Sequence, residues 1–127
     1  RAELADDANT FLLAFMDGDE KLDGYAKLRT GTTDPSVTGR DAVELQRLYV
    51  DRSVTGKAVG AALMGASLDA ARSAGHQTLW LGVWERNTRA ISFYERWQFE
   101  TVGDHEFRLG SDDQTDLIMA RRVPGAA

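Results

Sequence analysis

The chain predicts an α/β (α+β) domain in which a mixed β-sheet is flanked by helices. Three observations carry this. Apolar periodicity reads in the order β-β-β-α-β-α-β-β. A strand runs directly into an alanine-rich helix over Glu44–Leu63. The length of 127 residues suits one domain with one core.

Residues Arg1 to Asn9 are polar and read as the tail of a helix. Thr10–Met16 holds Phe11, Leu12, Leu13 and Phe15, a buried strand. Asp17-Gly18-Asp19-Glu20 is a hairpin signal. Leu22–Thr30 alternates Leu22, Gly24, Ala26 and Leu28 against Tyr25, Lys27 and Arg29, a strand with one wet face. Gly31–Asp41, with Pro35 and Gly39, is a loop, and Ala42–Val50 a third strand.

Val59–Ala74 is helical, with Val59, Ala62, Leu63, Ala66, Ala70 and Ala71 on its core face and Gly75 as its stop. Leu79–Val83 is a short strand flanked by Trp84. Asn87 caps a second helix, Thr88–Trp97, whose core face is Ala90, Ile91, Phe93, Tyr94 and Trp97. Glu100–Leu109 and Asp116–Val123 are the last strands, joined through Gly110-Ser111-Asp112-Asp113. There is no internal repeat and no second domain.

Composition narrows the function. A net charge of −5 without a basic stripe argues against nucleic acid and suits a cationic small molecule. No apolar run approaches the roughly 20 residues of a membrane helix. The absence of cysteine excludes disulfides, thiolate metal sites and a cysteine nucleophile, and fits a cytoplasmic protein. His76 and His105 stand far apart with no ligand spacing, so no metal is expected; His105 is assigned to structure or a dimer contact.

The strand–turn–helix over Glu44–Leu63 leaves backbone N–H groups at a helix N-terminus, where an anion such as phosphate is favoured. Gly56 and Gly60 would allow close approach of a ligand. A P-loop does not fit, and Gly56-x-x-x-Gly60 is not the dinucleotide pattern. An ordinary strand-to-helix turn, with glycine for packing, remains an equal reading of this stretch alone.

Taken with Asn87-x-x-Ala90-x-x-Phe93-Tyr94, the turn Thr55-Gly56-Lys57-Ala58-Val59-Gly60 resembles that of the GNAT N-acetyltransferase family. It departs from the family's Gln/Arg-x-x-Gly-x-Gly/Ala pattern at Thr55 and Ala58. Gln98-Phe99 stands where the family usually has Gly-Phe. Leu81-Gly82-Val83-Trp84-Glu85 and His105-x-Phe107-x-Leu109-Gly110-x-Asp112-x-Gln114-Thr115-Asp116-Leu117-x-Met119 are similar to the PaiA-type branch, associated with acetylation of polyamines. The resemblance covers about Phe11 to Arg121. The family fold begins with a strand and two helices that are not visible here, so the chain is expected to be one N-terminally truncated domain.

The resemblance implies acetyl-CoA as cosubstrate, a small amine as acceptor and a homodimer as one possible assembly. Backbone of Leu48, Tyr49 and Val50 would contact the pantetheine arm, with an N–H near Val50 facing the oxyanion. The turn from Thr55 through Gly56, Lys57, Ala58, Val59, Gly60 and Ala61 would take the pyrophosphate. Asn87 would bond the pantetheine, cap its helix, or both. Tyr94 would return a proton to the thiolate, its phenol having an ordinary pKa of about 10; helical spacing alone would place it in the core. Glu44 is the first candidate base and Glu85 the second, each otherwise a solvated strand-end carboxylate. Trp80, Trp84 and Phe107 would line an acceptor pocket or the core. Two other functions stand beside this one: a non-catalytic acyl-CoA-binding module, and an acetyltransferase for protein amino groups.

Overall fold

A computed structural model describes residues 2–5, 8–15, 22–52 and 58–125. Nine elements follow in chain order: β1 (Ala2–Ala5), β2 (Asn9–Phe15), β3 (Leu22–Arg29), β4 (Ala42–Val50), α1 (Val59–Ser73), β5 (Thr78–Trp84), α2 (Thr88–Arg96), β6 (Glu100–Leu109) and β7 (Asp112–Arg122). They form one seven-stranded sheet in the order β1-β2-β3-β4-β5-β7-β6. Among the described residues, β4 and β5 form the one parallel pair, and α1 supplies the crossover that such a pair needs.

Two expectations are corrected at the ends. The segment read as a helix tail holds β1, paired antiparallel from Ala2↔Leu13 to Ala5↔Thr10. A strand is thus present at the N-terminal edge of the sheet. The exposed edge of β2 offers a row of donors and acceptors, whereas an isolated helical turn must bear its own nucleation cost. At the other end β7 starts at Asp112, not Asp116, because Leu109 pairs with Asp112 and leaves a two-residue turn. Gly110 takes φ +64° there, a conformation open to glycine. The hairpin signal at Asp17–Glu20 lies outside the described residues.

Both helices pack on one face of the sheet. Leu12, Ala26, Leu28, Val43, Leu45, Leu79, Leu81 and Met119 meet Val59, Leu63, Met64, Leu68 and Ala71 of α1 there, and Phe93, Tyr94 and Trp97 of α2 pack against the same core. Gly24 lets α1 lie close: a Cβ at that position would stand 2.6 Å from the Tyr49 carbonyl oxygen and 3.1 Å from Leu63. On α1, Ala62 is exposed, while Met64 and Ser67 are buried. The buried Ser67 hydroxyl is satisfied by donating to the Leu63 carbonyl at 2.7 Å. Among the described residues, no helix is long and apolar enough to cross a membrane.

The strand pairing contains the feature that matters for function. β4 pairs with β5 only at Ala42↔Thr78, Val43↔Leu79 and Glu44↔Trp80. Both strands then continue, β4 to Val50 and β5 to Trp84, without pairing. On its other edge β4 skips a residue, since Lys27 pairs with Arg47 and Leu28 with Leu45. The bulge at Gln46 bends β4 away from β5, and the sheet splits at its centre.

Candidate active site

The split opens onto a cleft of about 600 Å³. Leu48 and Val50 of β4, Ala58 to Ala61 at the start of α1, and Asn87, Arg89, Ala90, Phe93, Tyr94 and Arg96 around α2 line it. Beyond Glu44, the β4 edge turned toward β5 has no strand partner, so its backbone groups are open to an extended ligand.

The N-terminus of α1 is uncapped among the described residues. Ala58 precedes the helix with φ 65° and no side-chain cap, and no acidic residue stands in the first turn. The first intrahelical bond is Ala62 N–H to the Ala58 carbonyl, at 3.0 Å. The N–H groups of Val59, Gly60 and Ala61 therefore remain for a ligand at the positive end of the helix dipole. Packing does not require glycine at position 60, since a Cβ there would rest in ordinary contact with the Phe93 ring at 3.6 Å. Thr55, Gly56 and Lys57 lie outside the described residues.

Two side chains of α2 that sequence reasoning missed add charge. Arg89 and Arg96 line the cleft with Phe93, at a 4- and 3-residue spacing that sets all three on one helix face. That spacing was the available signal. Asn87 accepts from Ala90 N–H at 3.2 Å, which caps α2 at the mouth of the same cleft.

Tyr94 is held at the other end of α2. Phe99 N–H reaches the Tyr94 carbonyl and Gln98 N–H that of Glu95, with Gln98 at φ 69°. This is a Schellman closure, and its usual apolar contact is present: the Tyr94 and Phe99 rings meet edge-on at 5.7 Å. The half-buried ring joins the core while lining the cleft. Burial pushes the phenol above its ordinary pKa, so it stays a proton donor through neutral pH.

Other candidates lie outside this cleft. Tyr49 projects to the helix-free face, 48% exposed, against Tyr25 at 5.7 Å. Glu44 is buried on that face, where its Oε1 accepts from Arg29 Nε and Thr32 Oγ1, each at 2.9 Å. Trp80 is buried, while Trp84 and Phe107 are exposed. His105 meets the Phe107 ring at a tilt, 4.4 Å between centroids, and approaches Asp34 at 3.7 Å. Among the described residues, no three histidine or carboxylate side chains converge as a metal site would require.

A split parallel strand pair beside an uncapped helix start offers an extended ligand a free strand edge and, next to it, N–H donors for an anion. The comparison with known proteins gives the family: residues 1–99 match the acetyltransferase (GNAT) family, and the chain belongs to it, which makes it an N-acetyltransferase by class. An uncharacterised N-acetyltransferase of Mycobacterium tuberculosis is 37% identical over 120 residues, 94% of this chain and 71% of that protein. Nourseothricin acetyltransferase superposes with a TM-score of 0.77 at 27% identity, over 93% of this chain and 67% of its own. The PaiA N-acetyltransferase of Thermoplasma acidophilum, solved with coenzyme A, gives 0.68 at 27% identity, over 91% and 61%.

Proposed function

We propose that this chain transfers an acetyl group from acetyl-CoA to a primary amine of a small, polyamine-like cation. The observation that carries the reading is the split beyond Glu44↔Trp80, opening onto free helix N–H donors with Tyr94 in the same cleft. The PaiA relative solved with coenzyme A supports the donor.

In this reading the N–H groups of Val59, Gly60 and Ala61, with the turn Thr55–Lys57 before them, take the pyrophosphate. Arg89 and Arg96 add charge. The free edge of Leu48–Val50 takes the pantetheine as an added strand, and an N–H near Val50 faces the developing oxyanion. Tyr94 returns a proton to the leaving thiolate. Glu44, occupied by Arg29 and Thr32, suits holding β4 at the split better than accepting a proton; an amine that arrives neutral needs no fixed base. We read residues 1–127 as one domain.

The test is calorimetric titration with acetyl-CoA, followed by spermidine and an assay for free thiol. Heat followed by thiol release supports the proposal. Binding without thiol release on any amine favours a non-catalytic acyl-CoA binder, and release only with peptide amines favours a protein acetyltransferase.

A further inference from the structure

The stretch Gln114-Thr115-Asp116 is not used by the donor cleft. Trp84 pairs with Asp116 across β5 and β7, and Asp116 with His105 across β7 and β6. Directly opposed residues project to the same side, so all three stand on the helix-free face. Gln114 Nε2 donates to Asp116 Oδ1 at 2.9 Å and fixes the carboxylate. The other oxygen leans over Gly82, lying 3.6 Å from where a Cβ would be.

Gly82 is the first β5 residue on this face beyond Trp80, and β4 leaves β5 at Trp80. The Asp116 carboxylate therefore overhangs a floor without a side chain at the edge of the split. Trp84, 46% exposed, stands beside it. The neighbouring charges on this face are occupied: Glu44 holds Arg29, and His105 approaches Asp34. Asp116 Oδ2 accepts no hydrogen bond among the described residues. On β5, buried Trp80 leaves its indole N–H without a partner among the described residues.

The geometry points to Asp116 as the anchor for the acceptor's ammonium group, with the Trp84 indole as a wall of that subsite. An ammonium carries three donors and no acceptor, so a free carboxylate oxygen and an aromatic face together suit it. The donor cleft lies on the helix side of the sheet and this subsite on the opposite side, with the split of β4 from β5 between them. The amine then approaches the thioester from the face that the donor does not occupy. This subsite rests on the acetyltransferase reading for its purpose, but not for its binding.

The test compares the full chain with Asp116→Asn, Asp116→Glu and Asp104→Asn, the last removing an equal charge from an exposed position on the other side of β6. Spermidine binding is measured by calorimetry, and thiol release from acetyl-CoA under steady state. Asp116→Asn is expected to weaken spermidine binding about tenfold or more and raise its KM by the same factor. The KM for acetyl-CoA should stay within about twofold, Asp116→Glu should recover part of the loss, and Asp104→Asn should change nothing. Equal spermidine binding by the wild type and Asp116→Asn overturns the subsite, as does an equal loss in Asp104→Asn or no binding by the wild type. Binding that depends on Asp116 without thiol release keeps the subsite and removes the transfer reading. Thiol release with an unchanged spermidine KM in Asp116→Asn does the reverse.

Discussion

Glu44 and Trp80 are the last residues at which β4 and β5 remain partners, and Glu44 is also held by Arg29 from β3 at 2.8 Å. Glu44 thus joins β4 to β3 through its carboxylate and to β5 through its backbone at the point where the sheet opens. Because Arg29 is a third exposed, its pair with Glu44 is worth less than a buried one. Glu44→Gln is expected to lower stability by about 1–2 kcal/mol, the worth of a charge-assisted bond in such a setting. Turnover should fall by no more than about threefold, since general-base loss would cost about a hundredfold. Urea unfolding beside steady-state kinetics checks this. A hundredfold loss in kcat at an unchanged unfolding midpoint would make Glu44 the base.

At the start of α1, stability and ligand affinity should move in opposite directions. Ala61 is exposed in the uncapped first turn and lines the cleft. Ala61→Glu places a carboxylate at the positive end of the dipole, which should stabilise the fold by about 0.3–1 kcal/mol. The same charge opposes the pyrophosphate and should weaken acetyl-CoA binding by about tenfold or more. Arg89→Ala and Arg96→Ala should each weaken it in a salt-dependent way. Thermal unfolding and calorimetry report the two quantities separately. Unchanged affinity in Ala61→Glu would move the phosphate site elsewhere.

Local pattern made most of the fold legible. Alternation located β3 and β4, and helical spacing with Gly75 and Asn87 bounded α1 and α2. The resemblance to the family, not local pattern, singled out Leu48, Val50, Ala58–Ala61, Asn87 and Tyr94, which line one cleft. What escaped depends on distant residues. The Ala2–Ala5 strand exists through its pairing with β2. The bulge at Gln46 shows only when β3 is laid beside β4, and Arg29 reaches Glu44 across 15 positions of chain. Glu44 read as a free strand carboxylate because nothing within its own strand announces a partner. Arg89 and Arg96 went unread because Gly60 and Val50, which close the other wall, are distant in the chain.

Tyr94 separates chemistry from packing. Tyr94→Phe keeps the ring that contacts Phe93 and Phe99 and removes only the hydroxyl. The expected result is a fall in kcat of about a hundredfold, with acetyl-CoA affinity within about twofold. Its phenol is pushed upward by burial, so the folded chain holds this proton more tightly than the unfolded chain does. The stability contribution is then complete below the unfolded value of about 10 and is lost as pH rises through the folded value. Above pH of about 10, stability of the wild type should therefore fall more steeply than that of Tyr94→Phe. Equal kcat in the two proteins would place Tyr94 in the core alone.

Gln98 occupies the left-handed position that closes α2, where the family usually has glycine; its φ is 69°. A residue with a Cβ costs roughly 1 kcal/mol in that region, and the exposed Gln98 side chain makes no hydrogen bond that offsets it among the described residues. Gln98→Gly should therefore raise stability by about 1 kcal/mol, while Gln98→Ala, which keeps the Cβ, should not. Because the closure carries Tyr94 and Phe99 on its two ends, relieving it without moving either ring should leave kcat unchanged. Chemical unfolding of the three proteins gives the comparison. Equal stabilisation by glycine and alanine would locate the cost in the glutamine side chain, not in the backbone.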